Sequence, residues 1–455
     1  MVERNKYLHG VWQGPWYFIG ATVCASAGLG ALWYFPAAVS GSDASLVTLF
    51  YALFLVLLAW PLLLAESVLG RRGRQSPVNT MRYLVMESQL SPAWRAIGVV
   101  ATLSGVLMVS WFALLAIWAG DYFWDMTSGV MQGQNLRFAI EHFNEVREQP
   151  QQALLRCGLF LLLVAMVSMG GVRRIGRVLR HLVALLIWLL VLAAVLSVVN
   201  GNWLAGYYHL FDLPHVSLAT GQWLASAATA LSMALLTCAL GVGAASAFGA
   251  YLPERSRLAK STLLVVLVVG LFAYTVALTI HATVLAEPAR AVMEGQSMDG
   301  LNMLFVALPI SFSNTAYGLF LGGLFFLFIA LACWGSAIAL LEPAIAWLVE
   351  STRCNRFFAS LLVGLICLGL MPTSFYTLDR GGYGIVEQLC GYLLPLVGLL
   401  VTLFVGWRLP RNVLREALFD EPRILFSIWY GLLRYVLPIL MIIMLGHSIY
   451  RHLIN

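Results

Sequence analysis

The chain is predicted to be an all-α integral membrane protein with about eleven transmembrane helices, and three observations carry that reading. Of its 455 residues, 61% are hydrophobic and only 11% are charged, against roughly 25% charged residues in a soluble domain. The mean hydropathy is +0.85. The apolar residues lie in long runs, most of them near or above the roughly 20 residues that a helix needs to cross hydrocarbon. Lipid offers no partner for free backbone N–H and C=O groups, so only helices or closed barrels can span, and runs of this length choose helices.

The runs fall at about 15–40, 45–70, 95–125, 152–171, 178–200, 220–251, 261–286, 316–349, 357–373, 384–408 and 424–449. The first imitates a secretory signal, with Arg4 and Lys6 ahead of an apolar stretch and Ala25-Ser26-Ala27 as a cleavage-like site. Its apolar run continues to about Val39, too long for a signal core, so it is read as a retained span. With the N-terminus cytoplasmic, the inside segments carry twenty Lys and Arg and the outside segments six, with Arg434 inside the last span. Segment 201–219, on the outside, has none. This bias predicts a multi-pass protein of the cell (inner) membrane, and the odd number of spans puts the C-terminus outside.

The net charge of +6 is therefore a topology signal and gives no reason to expect a nucleic-acid partner. Seven cysteines lack paired spacing, and all except Cys354 lie in apolar runs or at their edges, so neither a disulfide framework nor a zinc site is indicated. The longest interruptions, about 126–151 and 287–315, are too short to bury a core. The second contains Leu304-Phe305-Val306-Ala307-Leu308 and is expected to fold back as a re-entrant or capping element. Trp94, Trp118, Tyr122, Trp203, Tyr207, Trp407 and Trp429 lie near span ends, as an aromatic belt would.

Two spans carry glycine pairs at mid-membrane, the first at Gly28-Leu29-Gly30 and the sixth at Gly241-Val242-Gly243. Glycine weakens a helix there. If these spans open two five-helix repeats, the breaks correspond, which is the pointer to a binding site between inverted repeats. Glycines also let membrane helices pack closely, and a single pair would carry only that meaning; it is the matched placement that favours broken helices.

The residues then resemble the neurotransmitter:sodium symporters, whose fold is that of the bacterial leucine transporter. The resemblance is carried by Gly28-Leu29-Gly30 with Trp33-Tyr34-Phe35-Pro36, Trp60-Pro61-Leu62-Leu63-Leu64-Ala65-Glu66 and Leu69-Gly70-Arg71. It continues with Leu240-Gly241-Val242-Gly243, Phe305-Val306-Ala307-Leu308-Pro309, Ser336 through Glu342-Pro343, and Leu393-Leu394-Pro395-Leu396 through Gly406-Trp407, so that it covers most of residues 12–408. It implies a substrate pocket lined by the first, third, sixth and eighth spans. The residues at those positions are Ala27, Gly28, Leu29, Gly30 and Ala31, then Phe112, then Leu236, Thr237, Ala239 and Val242, and Ala332 to Leu340, including Ser336. Phe112 stands where the family usually has a tyrosine hydroxyl for the substrate carboxylate.

The family's second sodium site would use main-chain oxygens near Cys24, Ala27 and Ala332 and side chains at Gly335 and Ser336, where one hydroxyl of two remains. At the first site Ala31 replaces an asparagine and cannot coordinate, though Thr237 keeps an oxygen. One sodium site and no organic cofactor are expected. Tyr34 replaces the usual outer-gate arginine, with Glu387 near the position of its acidic partner. Glu66 corresponds to an acid that braces the unwound sixth helix, and a carboxylate so placed is also a protonation candidate. Glu342, before Pro343, is read either as a packing acid or as a protonation site.

Inner-gate candidates are His9 and Trp12, opposite Glu350; a neutral imidazole there would make a weaker closure than the family's arginine. An interfacial Trp and a solvated His remain the alternative. His181 and His281 show no ligand spacing and read as interfacial or packing residues.

These readings combine into one transport domain of two inverted repeats, about 13–200 and 220–408, followed by an extra helix at about 424–449. The expected activity is sodium-coupled symport of a small amino acid or related zwitterion by alternating access. A nutrient sensor that kept the fold without coupled transport, or a proton-coupled transporter, are the alternatives. No nucleophile, metal cluster or phosphate loop suggests an enzyme. The partners expected are the small-molecule substrate and the lipid bilayer; the sequence sets no oligomeric state.

Overall fold

The computed structural model describes residues 9–28, 30–213, 222–254, 256–286, 300–313, 317–378 and 385–454. Among them there are helices and no strands. Nine helices among the described residues are long and apolar enough to cross a membrane: Ala44–Gly73, Pro92–Ser128, Pro150–Ser168, Gly171–Val199, Leu258–Val284, Gly318–Thr352, Arg356–Thr373, Gly391–Arg408 and Arg423–Ile449. The pair Pro15–Ser26 and Gly30–Ala38, bent by 52°, makes a tenth span. The sixth span completes eleven, in two pieces each too short to cross alone, Gln222–Thr237 and Ala244–Ala250.

Both breaks have a local cause. In the first span the α-helix stops at Ser26, and the chain re-enters a helix through a π-turn at Gly30–Tyr34, just before Pro36. Proline lacks the N–H that a regular turn would use, and a widened turn accommodates this. In the sixth span Gly241 and Gly243 have φ of 80° and 75°, the left-handed region that glycine enters freely, whereas Ala239 at φ 47° is strained. A Cβ at Gly241 would also lie 2.8 Å from the carbonyl oxygen of Leu394 in the tenth span. Pro61 follows a similar π-turn, Leu55–Ala59, in the second span.

Burial sorts the spans. The third and eighth are the most enclosed, with 78% and 72% of their apolar windows buried, so they form the centre. The fifth, ninth and eleventh are 28%, 33% and 33% buried, so they present broad apolar faces that only lipid suits. Short helices flank the bundle at Pro77–Glu87, Leu136–Arg147 and Trp203–Phe211. As the apolar run suggested, Gly300–Ser313 is drawn inward, with Met303 through Phe312 buried.

Candidate functional site

The broken helices meet the third and eighth spans at one place. A Cβ built on Gly28 would lie 2.7 Å from both Phe112 Cε2 and Ser336 Oγ. One on Gly30 would lie 2.6 Å from the Leu236 carbonyl oxygen and from Thr237 Cα. Gly105 approaches the carbonyl oxygens of Leu340 and Val242 in the same way, at 2.9 and 3.3 Å. The glycines thus let four backbones close on one point, and a larger side chain at Gly28 or Gly30 would force them apart. Ala27, Gly28, Ala31, Phe112, Thr237, Ala239, Val242, Ser336 and Leu340 are buried here and Leu236 is half-buried, while Leu29 lies outside the described residues.

Two hydroxyls at this centre are already engaged. Ser336 donates to the Cys24 carbonyl oxygen at 2.6 Å, joining the eighth span to the end of the first helix segment. Thr237 donates to Met233 O at 2.8 Å and accepts from the Tyr51 phenol at 2.9 Å. Glu66, 3% exposed, accepts from the Gly241 N–H at 2.8 Å, directly at the sixth-span break. Its other oxygen has no partner among the described residues. The geometry is that of a brace: a helix break leaves N–H groups unpaired, and a carboxylate from the second span takes one of them.

The end of the bundle that holds His9 is closed by polar contacts. His9 Nε2 is 2.8 Å from Glu350 Oε1, and Glu350 also accepts from the Ser76 N–H at 2.7 Å, the Ser76 hydroxyl, and Asn79 Nδ2 at 2.6 Å. Arg356 approaches His9 Nδ1 at 3.4 Å, so the tautomer with its proton on Nε2 satisfies both contacts. Arg356 pairs with Glu342, whose other oxygen accepts from the Tyr251 hydroxyl at 2.7 Å. Trp12 donates its backbone N–H to the Tyr251 carbonyl oxygen at 2.9 Å and its indole N–H to Val172 O at 3.0 Å, and packs on Phe248. Glu342 is thus held by both a cation and a hydroxyl.

The opposite end, at Tyr34, is closed by rings. Tyr34 stacks on Trp33 at 4.5 Å, Trp33 meets Trp111 at 5.7 Å, and Trp111 meets Trp118 at 6.4 Å between centroids. Trp118 touches Phe143 and Phe305, each at 5.8 Å, and those two stack at 5.3 Å. The side chain of Glu387 lies outside the described residues. His281, expected as a packing residue, is buried with its Nε2 3.1 Å from the Pro36 carbonyl oxygen, and His209 reaches Val39 O at 2.8 Å.

Comparison with known proteins bears directly on this arrangement. Residues 130–409, more than half of the chain, match the sodium:neurotransmitter symporter family. The chain belongs to that family. An uncharacterized sodium-dependent transporter of Bacillus subtilis (strain 168) is 26% identical over 447 residues, covering 95% of this chain and 96% of its own. Another, from Methanocaldococcus jannaschii, is 22% identical over 441 residues, covering 92% and 86%. The crystal structure of MhsT in complex with L-phenylalanine superposes with a TM-score of 0.85 at 25% identity, covering 96% of this chain and 99% of that one. The fold is that of the leucine-transporter-like symporters, and the protein is a membrane symporter rather than an enzyme.

Membership implies the use of sodium. The oxygens that converge where the family's second site would lie are Cys24 O and Ser336 Oγ, hard donors of the kind that sodium accepts. Gly335 offers no third: a Cβ there would come within 2.7 Å of Leu182 and 3.3 Å of Cys24 Sγ. The donor set is small but fits, with main-chain oxygens near Ala27 and Ala332 as the remaining candidates. Among the described residues no three His, Cys, Asp or Glu side chains are grouped to hold a metal ion. Sequence reasoning missed Tyr51, Ser76, Asn79, Tyr251 and Arg356. The one signal for Arg356 was a cation at the start of the ninth span, fourteen residues beyond a buried acid.

Proposed function

We propose that this symporter carries a small amino acid or related zwitterion together with sodium, by alternating access, through one sodium site between the first and eighth spans. The observation that carries this reading is the pair of broken helices meeting at Gly28, Gly30 and Thr237. Segments Pro15–Ser26 and Gln222–Thr237 end there, and Gly30–Ala38 and Ala244–Ala250 begin there. Helix ends supply carbonyls suited to a cation, and helix starts supply N–H groups suited to an anion. Both charges of a zwitterion are therefore matched by backbone alone. Phe112, Leu236, Val242 and Leu340 add only apolar surface, which suits a substrate without a charged side chain.

The two closures supply the alternation. With the inner polar contacts and the outer rings both in place, the centre is shut from both ends, and transport requires each to open in turn. Bound sodium supplies positive charge beside the broken first helix; the Ser336 hydroxyl, now given to Cys24 O, is the group of this chain that would turn toward it. Ala31 and the Tyr51–Thr237 bond leave little for a second ion. The repeats at about 13–200 and 220–408, the extra helix, the inner-membrane location and the cytoplasmic N-terminus belong to the same reading.

A thermal-shift screen of amino acids and amines on purified protein, with and without sodium, tests it. A neutral amino acid should raise the melting temperature in sodium and not in potassium. Stabilisation by bare amines alone, or by amino acids equally in both salts, would overturn it.

A further inference from the structure

The outer ends of the third and fourth spans and the loop helix Leu136–Arg147 enclose a cavity of about 260 Å³, lined in part by Trp118, Asp121, Asp125, His142, Gln152 and Arg156. This lies outside the central site. Two ion pairs cross it. Asp121 pairs with Arg156, and Asp125 Oδ2 lies 2.9 Å from His142 Nε2, with the latter two side chains only 16% and 17% exposed.

We propose that Asp125 and His142 form a proton-binding latch that fastens the outer closure when His142 is protonated. The His142 ring lies against Phe138 at 5.6 Å with an interplanar angle of 8°, and meets Tyr122 edge-on at 5.6 Å. Tyr122 touches Phe305 at 5.2 Å. Phe143, the next residue of the loop helix, is the ring held between Trp118 and Phe305. The latch therefore sits at one end of the ring run whose other end is Trp33 and Tyr34 on the first span. A loop helix released by its histidine frees Phe143, and with it the support of that run.

The surrounding charges favour the imidazolium. The third span brings Asp125 and Asp121, the loop helix brings Glu145, and the fourth span brings Arg156, which is committed to Asp121. Helix Gly300–Ser313 and the facing start of the eighth span, residues 318–326, contain no titratable side chain. The hydrogen bond to Asp125, acting against partial burial, holds the His142 pKa above the ordinary histidine value. A raised folded-state pKa means that the latch is fully engaged below about pH 6.5, the unperturbed value, and is lost as pH rises through its own pKa. Acid outside fastens the outer closure, and alkali releases it. The inference uses the orientation proposed above but not the identity of the substrate.

Hydrogen–deuterium exchange on the full chain in lipid nanodiscs, expressed as protection factors to remove the intrinsic pH dependence, tests this without any transport assay. Protection across residues 136–147 should fall between about pH 6 and about pH 9, as the imidazolium that the hydrogen bond to Asp125 favours is lost. In His142→Gln, which cannot titrate, protection should be flat with pH. In Asp125→Asn, the midpoint should move down toward about 6.5. A flat wild-type profile, or a His142→Gln profile that still falls like the wild type, would overturn the latch. So would an equal loss in helix Pro77–Glu87 on the opposite face, which would mark global loosening. If His142→Gln fails to fold, the midpoint of Asp125→Asn decides alone: an unmoved midpoint overturns the proposal.

Discussion

In the orientation proposed above, the inner and outer closures of this symporter use opposite physical means. The inner one is a set of directed contacts, His9 with Glu350 and Arg356 with Glu342 and through it Tyr251. The outer one is a run of rings from Tyr34 to Phe305. Rings slide past one another with only a loss of contact area, and the Asp125–His142 pair beside them keeps some exposure to water, so no fully buried charge is stranded when they part. Glu342 is fully buried, so separating it from Arg356 leaves an uncompensated carboxylate until water enters. On these grounds the inner end is expected to act as an all-or-none lock and the outer end as a graded one.

The largest effect should come from breaking the lock. Arg356→Met strands Glu342 and should destabilise the protein by about 3–5 kcal/mol, read as a lower unfolding midpoint in detergent. Adding Glu342→Gln to it should recover most of the loss, because the stranded charge is gone. Hydrogen exchange at residues 136–147 should stay unchanged in both variants; a change there would show that the two ends are not separable.

Next comes the brace between the two ends. Glu66→Leu leaves the buried Gly241 N–H unsatisfied, a cost of about 1–3 kcal/mol, whereas Glu66→Gln keeps an acceptor and should retain most of the stability. Equal midpoints for the two variants would remove the bracing role. On the outer side, Phe143→Leu keeps apolar volume but loses its ring contacts with Trp118 and Phe305. The expected loss is smaller, about 0.5–1.5 kcal/mol per pair, and should be accompanied by faster exchange in Leu136–Arg147. The smallest effect on stability is expected for Ser336→Ala, which removes one neutral hydrogen bond worth about 1 kcal/mol. Its functional effect should be large: sodium should no longer promote substrate binding.

What could be read in advance follows from range. The eleven spans were legible because each is a local apolar run, and both breaks were legible because glycine pairs interrupt those runs. The meeting of Gly28, Phe112 and Ser336 was expected only through the family resemblance, since no local pattern links residues so far apart. Arg356, Tyr251 and Tyr51 escaped notice because each acts on a group in another span. Tyr51 and Thr237, for instance, are separated by 186 positions. Loop helix Leu136–Arg147 was passed over as a short interruption, although Phe138 and His142 are spaced to share one helix face and Ala139 and Phe143 to share another. Its significance depends on Asp125 and Phe305, which only the folded chain brings to it.

Uptake into proteoliposomes, with the ligand found by thermal shift, addresses the coupling most directly. An inward sodium gradient should drive accumulation above the equilibrium level, collapse of the gradient should abolish it, and Ser336→Ala should remove the sodium stimulation. Binding without accumulation, or accumulation driven by a proton gradient in the absence of sodium, would contradict sodium-coupled symport.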